Sequence, residues 1–394
     1  MNSNTSRREF LSTGLSAGLA LPVLGATSAM ALEPQSGQSS AKPAASPAKL
    51  EYRTLGRTGL KVTTVGMGCM ITSDPSVITR AADLGINYFD TARGYQHGNN
   101  ERMVATALGV RRKQVIIATK SGARSKDELQ KNLEESLREL NTDYLDIWFL
   151  HGKNSVEEVS DELIEVQQQA KKQGKVRFTG VSTHNGQQQL LPWMAKKGLF
   201  DVVLAAYNFT MDAGMDQAVE AAAKAGMGVV AMKVMAGGAR RLKPGDPNYK
   251  RLTQEGAMLA ALKWVISKPS IATTIPSITD MDQLDENLKA MSNPLSTSDQ
   301  KLLTAHLDAI RPLYCSMCGQ CDGACQKGLP VADVLRFLTY ADGYGQFALG
   351  RERFLELSAE HKAIRCGDCA QCTVQCPHGV QVALRCARAQ ELFA

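Results

Sequence analysis

The chain has 394 residues, of which 44% are hydrophobic and 21% charged, and its formal charge is +6 at neutral pH. This composition is typical of a globular protein, and the length accommodates one large domain and a smaller one. The mild positive charge is spread along the chain without a basic run rich in aromatics, which argues against nucleic-acid binding, and no stretch beyond the N-terminus reaches the about 18 apolar residues of a membrane-spanning helix.

The first 31 residues have the features of an export signal. Paired arginines precede a Phe-Leu pair within residues 6–11, a weakly apolar run covers 15–26, and Ala29 and Ala31 provide small residues at the spacing of a cleavage site. This segment resembles a twin-arginine signal, which implies export of the folded protein by the twin-arginine machinery to the periplasm or otherwise out of the cytoplasm. The alternative is a cytoplasmic reductase with a basic, disordered N-terminus. Residues 32–50, rich in Pro, Ser, Gln and Ala, are predicted to be a disordered linker.

Short apolar runs alternate with amphipathic stretches over residues 51–310. Eight such runs read as strands, at 62–66, 87–90, 115–119, 145–150, 176–181, 202–206, 228–232 and 271–275. This alternation predicts an α/β fold, namely a (β/α)8 TIM barrel over 51–310. A doubly wound open sheet is the alternative, but no G-x-G-x-x-G follows the first run.

The stretches between the strands carry the signals of helix ends. Ser125 with Glu128, and Ser155 with Glu158, fit the capping box that begins a helix. Glycines stand where a helix needs a left-handed closing residue, at Gly85, Gly109, Gly174, Gly198 and Gly226.

Four polar side chains stand at or just beyond the ends of three successive predicted strands. Asp90 ends the second strand and Tyr95 follows five residues later; Lys120 follows the third strand and His151 the fourth. In a barrel these ends share one rim, where catalytic residues gather. A phenol beside a cation can protonate the alkoxide left by carbonyl reduction, an acid can balance the cation, and an imidazole can orient the carbonyl.

Several motifs resemble those of the aldo/keto reductases. The segments 89–95, 118–120, 149–151 and 180–182 are similar to the landmarks of that family, in the same order, and the resemblance extends over about residues 52–293. It implies that Asp90, Tyr95, Lys120 and His151 form a catalytic tetrad acting on a small carbonyl or alcohol substrate. It also implies an NAD(P) cofactor across the rim.

The resemblance implies cofactor contacts at Ser182, Asn208, Lys233, Ser277 and Asn287. Gly237 and Gly238 allow a pyrophosphate to approach the backbone closely, and the alternative is a plain flexible loop. Thr183, Leu204 and Met232 depart from the family pattern, however, and Ser277 and Gln283 stand where basic residues are common. Without those cations the charge-assisted contacts to a 2′-phosphate are lost, so no strong NADP preference is expected.

Two quartets of cysteine share one spacing near the C-terminus, C-x2-C-x2-C-x3-C. The first consists of Cys315, Cys318, Cys321 and Cys325, and the second of Cys366, Cys369, Cys372 and Cys376. This spacing predicts two [4Fe–4S] clusters in a mainly helical ferredoxin-like domain over 311–394, with each fourth cysteine serving its own cluster or the other one. Disulfides, zinc, or loss of one cluster are the alternatives. Cys69 and Cys386 lie outside the quartets and are predicted to be buried, small apolar residues.

These features together predict an exported iron–sulfur oxidoreductase that interconverts carbonyl and alcohol groups and passes electrons through its clusters. A nicotinamide transfers two electrons as one hydride whereas a cluster accepts one, so a redox partner protein or a flavin is also expected. The alternative is an electron-transfer protein in which the barrel is only a docking scaffold.

Overall fold

The computed structural model describes residues 49–237 and 255–394. The predicted export signal, most of the predicted linker, and Gly238 lie outside the described residues.

Eight parallel strands form the barrel, preceded by a short antiparallel hairpin of β1 (Tyr52–Thr54) and β2 (Lys61–Thr63). The barrel strands are β3 (Met67–Gly68), β4 (Tyr88–Asp90), β5 (Ile116–Ser121), β6 (Leu145–Leu150), β7 (Val176–Thr183), β8 (Val202–Ala206), β9 (Gly228–Met232) and β10 (Thr273–Thr274). They pair in chain order from β3 to β10. Parallel bridges from Val65 to Thr274 and from Gly68 to Ser277 bring the last strand back to the first. The predicted barrel is confirmed.

The first predicted strand, 62–66, is divided between two elements. Its beginning pairs in the hairpin, where Val62 lies opposite Arg53, and its end joins the barrel only through the bridge at Val65. Strand β3 starts at Met67, and the residues just before it reach the barrel through the Gly66 N–H, which donates to the Thr274 carbonyl at 2.8 Å.

Helices alternate with the strands and cover the outside of the barrel. They are α1 (Pro75–Asp83), α2 (Asn99–Leu108), α3 (Lys126–Glu139), α4 (Asp161–Lys172), α5 (Gln187–Lys197), α6 (Ala213–Lys224), α7 (Ala257–Ile266), α8 (Met281–Ser292) and α9 (Thr297–Ile310). Ser125 caps α3 as predicted. The prediction for Ser155 was wrong: Ser160 caps α4 by accepting the Leu163 N–H, while Glu158 accepts the Asn154 N–H in the preceding turn.

Side chains alternate between the barrel interior and the helix layer. Tyr88, Ile116 and Phe149 lie in the interior cluster. Their neighbours Phe89 and Trp148 lie in the cluster between strands and helices. Because a strand has a side-chain period of two, residues 90, 120 and 151 share the inward direction of Tyr88, Ile116 and Phe149. This alternation aims the three predicted site residues at the mouth of the barrel.

A mainly helical domain follows the barrel and packs on the rim at the carboxyl ends of the strands. Its helices are α10 (Val331–Asp342), α11 (Phe347–Leu355), α12 (Ala359–Ala363) and α13 (Val382–Phe393). Leu335 and Leu338 of α10 pack in this domain's own core rather than against the barrel. The side of α10 that faces the barrel carries Arg336 and Tyr340. Among the helices described, none is long and apolar enough to cross a membrane.

Candidate active site

A buried ion pair lies at the ends of two adjacent strands. The Lys120 ammonium at the end of β5 donates hydrogen bonds to Asp90 Oδ2 and to the Thr91 carbonyl, each at 2.7 Å. The two charged side chains are 1% and 2% exposed. Strands β4 and β5 pair directly, so the pairing of the sheet fixes this contact.

Tyr95 and His151 complete the predicted group on the open side of the ion pair. Lys120 Nζ lies 3.2 Å from the Tyr95 hydroxyl and 4.6 Å from the centre of its ring. The rings of Tyr95 and His151 meet edge to face, with centroids 5.7 Å apart. The structure thus brings together all four residues of the predicted tetrad.

Burial dominates the proton affinities of these groups. It raises the pKa of Tyr95, and the Lys120 charge, which acts in the opposite direction, only partly offsets the effect of burial. Burial also lowers the pKa of His151 well below its usual value, and the charges of Lys120 and Arg353 lower it further. For Lys120, burial alone would lower the pKa, but the charges of Asp90 and Tyr95 outweigh it and keep the ammonium protonated. At neutral pH the site therefore offers a protonated phenol and a neutral imidazole.

The group opens into a cavity of about 370 Å³ that the barrel and the C-terminal domain enclose together. Asp90, Tyr95 and His151 lie on the barrel side. Arg336 and Tyr340 of α10 lie on the opposite side. A volume in this range suits a small-molecule ligand. The cavity therefore requires both domains.

The residues expected to contact nicotinamide are largely engaged with the chain itself. Asn208 donates to the Lys233 carbonyl at 3.0 Å and to the Tyr314 hydroxyl at 3.2 Å, and its Oδ1 accepts from Thr210. The Lys233 ammonium lies 4.7 Å from the ring centre of Tyr340. The C-terminal domain thus already contacts Asn208 and Lys233, where the nicotinamide is expected, and NAD(P) binding stays a prediction.

The remaining predicted contacts are scattered. Ser182 accepts a hydrogen bond from the Gly152 N–H at 2.9 Å, and Gly237 packs against the ring of Tyr314. Ser277 lines the cavity beside the tetrad. Asn287 is buried away from the cavity, and in the described part of the chain its Nδ2 has no hydrogen-bond partner.

All ten cysteines are described, and none forms a disulfide. Burial raises the pKa of Cys315 to about 12 and of Cys321 to about 11, and charge repulsion from Cys376 contributes to both shifts. Burial likewise raises the pKa of Cys318, with a contribution from Cys376. The last cysteine of the second quartet thus lies beside the first three of the first quartet. Thr373 also donates to the Ala324 carbonyl at 3.0 Å, which joins the two loops.

The position of Cys376 fits a cluster that takes three ligands from the first quartet and its fourth from the second. Within the described ranges, no three His, Cys, Asp or Glu side chains converge closely enough to hold a single metal ion. A cubane places each thiolate on a different iron, so its ligands do not need to converge on one point. As predicted, Cys69 and Cys386 are buried, at 0% and 1% exposure.

Comparisons with known proteins place this chain in a family. The model of the aldo/keto reductase family matches residues 73–256. Methylglyoxal reductase DkgB of Escherichia coli O157:H7 is 30% identical to the chain over 256 residues, which cover 61% of the chain and 91% of that protein. The chain belongs to the aldo/keto reductase family. The model of a 4Fe-4S dicluster domain matches residues 304–380, so this aldo/keto reductase is an oxidoreductase with an iron–sulfur domain.

Other relatives cover the same part of this aldo/keto reductase. The uncharacterized oxidoreductase YqkF of Bacillus subtilis is 27% identical, with 65% of the chain and 96% of that protein covered. The solved structure of the aldo-keto reductase AKR11C1 from Bacillus halodurans (holo form) superposes with a TM-score of 0.57 at 27% identity, again over 65% of the chain and 96% of the other. These matches support the barrel and the oxidoreductase class.

Three residues of this aldo/keto reductase's cavity were not anticipated from the sequence. Arg336 and Tyr340 stand four residues apart in α10, a spacing that puts them on one face of the helix and marks that face as polar. His184 follows Ser182 by two residues and so shares its direction along β7. These signals were present, but the sequence does not show that the helix faces the rim.

Proposed function

We propose that this aldo/keto reductase interconverts carbonyl and alcohol groups with Asp90, Tyr95, Lys120 and His151, and that electrons pass through clusters in its C-terminal domain. One observation carries the proposal: the Tyr95 hydroxyl lies 3.2 Å from the ammonium of the buried Lys120–Asp90 pair and faces a cavity of small-molecule size.

Each residue has a distinct part in the proposed reaction. Reduction of a carbonyl adds two electrons, which the redox partner would supply, and two protons: Tyr95 gives the proton that reaches the oxygen, and solvent water gives the proton that reaches the carbon. Lys120 then stabilises the phenolate left behind, while Asp90 keeps the lysine charged and in place. Neutral His151 donates a hydrogen bond to the carbonyl oxygen and so fixes its angle.

The position of the quartets favours transfer between the cavity and the protein surface. Tyr314, next to Cys315, packs in the cluster that fills the barrel interior. Asp322 of the first quartet's loop accepts a hydrogen bond from Asn185 of the barrel rim at 3.3 Å. The second quartet is more open, and Cys369 is exposed. When bound, iron–sulfur clusters supply electrons one at a time. The proposal is that electrons enter or leave at the second quartet, where a redox partner protein could dock.

Replacing Tyr95 by Phe tests the tetrad. The variant should lose turnover of carbonyl or alcohol substrates by at least about a hundredfold, because general acid–base groups contribute about 10²–10⁴-fold. Its cluster absorbance should be unchanged. Tyr88→Phe is the matched control, since it removes a hydroxyl that lies inside the same barrel with no hydrogen-bond partner among the described residues. Unchanged turnover in Tyr95→Phe would contradict the tetrad, and no turnover of any carbonyl or alcohol by the wild-type protein would favour the docking scaffold.

The electron source can be separated in the same assay. The anaerobic protein is given a carbonyl panel with reduced viologen, which delivers single electrons, or with NADH or NADPH, which deliver hydride. We expect turnover with reduced viologen and none with NADH or NADPH, because a nicotinamide would compete with the C-terminal domain for contact with Asn208 and Lys233. Turnover with either nicotinamide alone would count against electron transfer through the clusters.

We also propose export by the twin-arginine route. The support is the sequence of residues 6–31, with its arginine pair at Arg7 and Arg8. The mature protein should begin near Leu32. The double variant Arg7→Lys with Arg8→Lys should leave a full-length, cluster-loaded protein in the cytoplasm. A mature N-terminus at Met1 in the wild-type protein would contradict export.

A further inference from the structure

Two cations from different domains meet at one phenol on the cavity wall opposite the tetrad. Lys233, just beyond β9, lies 3.4 Å from the Tyr340 hydroxyl, and Arg336 lies 3.5 Å from the same oxygen. Arg336 also pairs with Asp333 at 2.6 Å. In the part of the chain that the structure describes, no carboxylate pairs with Lys233.

The carboxylates that line the cavity are already engaged elsewhere. Asp90 pairs with Lys120, Asp333 with Arg336, and Glu356 with Arg353. Glu158 accepts a hydrogen bond from the Asn154 N–H. Among the cations of the cavity wall that are not exposed, Lys233 is therefore left without a carboxylate partner in the described part of the chain; Arg124 also lines the cavity without one, but it is exposed. A cation in a largely buried site is costly unless an anion accompanies it.

His184 independently indicates a ligand at the same wall. It is 8% exposed and lines the cavity. Its Nδ1 is buried and has no partner within residues 49–237 and 255–394. Burial lowers the pKa of His184 well below its usual range, and the charges of Arg336 and Lys233 lower it further, as do those of His151 and Lys120, so the ring lies within reach of both the two cations and the tetrad. An unpartnered buried ring nitrogen indicates a group that the protein does not itself provide.

We infer that the cavity binds a small carbonyl or hydroxy compound that also carries a carboxylate, with the carboxylate held by Lys233, Arg336 and His184. The reacting carbon then lies at Tyr95 and His151, and to that extent the inference rests on the proposed function. A carboxylate fits better than a phosphate dianion, because the charges of Lys233, Arg336 and Asp333 together leave a single positive charge to balance.

Binding to the cluster-loaded protein tests the inference without turnover. The probes are 2-oxobutanoate, 3-oxobutanoate and 4-oxopentanoate, each beside its uncharged methyl ester, with inorganic phosphate as a separate arm, all measured by anaerobic calorimetry. At least one acid should bind about tenfold or more tightly than its ester, because charge-assisted hydrogen bonds are the stronger ones. Lys233→Met should weaken the acid by about tenfold to a hundredfold and leave the ester unchanged.

Matched variants keep the result specific. Lys224→Met removes an exposed cation from α6 and should bind the acid like the wild-type protein. Arg336→Gln should reproduce the effect of Lys233→Met from the other domain. Cluster absorbance reports that each variant is folded, and the acid–ester comparison in the wild-type protein does not depend on any variant.

The outcomes also separate this inference from the proposed function. Tyr95→Phe should keep the acid affinity while losing turnover. Equal affinity for acid and ester, no binding of any acid, or unchanged binding in both Lys233→Met and Arg336→Gln would overturn the inference and leave the tetrad untouched. Binding of phosphate but of no acid would overturn it in favour of a phosphorylated ligand.

Discussion

Replacing Lys120 by Met should destabilise the protein in a pH-dependent way. The substitution leaves Asp90 in a site where it is 2% exposed, without the ammonium that now lies 2.7 Å from its Oδ2. Burial already raises the pKa of Asp90, and the Lys120 charge is what opposes it. Without the lysine, the Asp90 carboxylate takes up a proton when the protein folds, so that no charge is buried.

The cost of that proton sets the magnitude. An unperturbed aspartate has a pKa of about 3.9, and each pH unit above it costs about 1.4 kcal/mol of protonation free energy. The loss of stability should therefore approach about 4 kcal/mol at pH 7 and fall to about 1.5 kcal/mol at pH 5. The value at pH 7 agrees with the about 3–5 kcal/mol observed when one partner of a buried pair is removed.

The opposite substitution should show the opposite pH dependence. Asp90→Asn leaves a buried lysine, whose unfolded pKa of about 10.4 makes neutralisation more costly as the pH falls. The double variant Asp90→Asn with Lys120→Met removes both charges, so it should be more stable at pH 7 than either single variant. Lys224→Met, in an exposed pair, should change stability by less than about 1 kcal/mol.

Anaerobic urea unfolding, followed by circular dichroism at pH 5, 6, 7 and 8, measures these differences from the midpoint and slope. Cluster absorbance recorded in parallel separates barrel unfolding from cluster loss. A pH-independent effect of Lys120→Met, or a double variant no more stable than the singles, would refute the view that this is an uncompensated buried charge.

Three further predictions follow from the interface between the domains. The pKa of Tyr340 is lowered to about 8 although burial opposes the shift, so phenolate absorbance should show one tyrosine that titrates near pH 8, and Tyr340→Phe should remove that titration. The contribution of Tyr340 ionisation to stability should be absent below about pH 8 and grow up to about pH 10. Gly343→Ala should loosen the C-terminal domain, since a Cβ there would lie 2.1 Å from the Gly237 carbonyl oxygen, whereas Gly367→Ala meets nothing; limited proteolysis should cleave the first variant faster. Cys376→Ser should reduce the iron content by about half while Cys386→Ser leaves it unchanged; equal iron in both would contradict Cys376 as a ligand.

Much of the barrel and the grouping of the tetrad could be predicted because both depend on local sequence periods. Runs such as 145–150 have the length of buried strands, and their alternation with helices is the barrel signature. Once the strands are placed, residues 90, 120 and 151 follow from a side-chain period of two. Neighbouring strands in sequence are neighbours in the sheet, so these ends must meet.

Features that depend on long-range contacts could not be predicted. Val62 belongs to an apolar run that looks like one strand, but pairing with Arg53 assigns its start to the hairpin. Ser155 has a capping pattern, yet α4 begins only at Asp161. Most importantly, no local sequence signal reveals that α10 covers the rim. Its leucines pack in the core of the C-terminal domain, whereas Arg336 faces the cavity.

The packing of α10 joins the chemistry of the cavity to the iron–sulfur domain. The core of that domain includes six of the quartet cysteines, partly buried against its apolar side chains. Small domains with thiolates at their centre depend on bound metal to fold, so cluster loading and formation of the cavity wall should be one event. The cavity should then form only in the cluster-loaded protein. That is also the state in which the proposed export route, which carries folded proteins, would transport it.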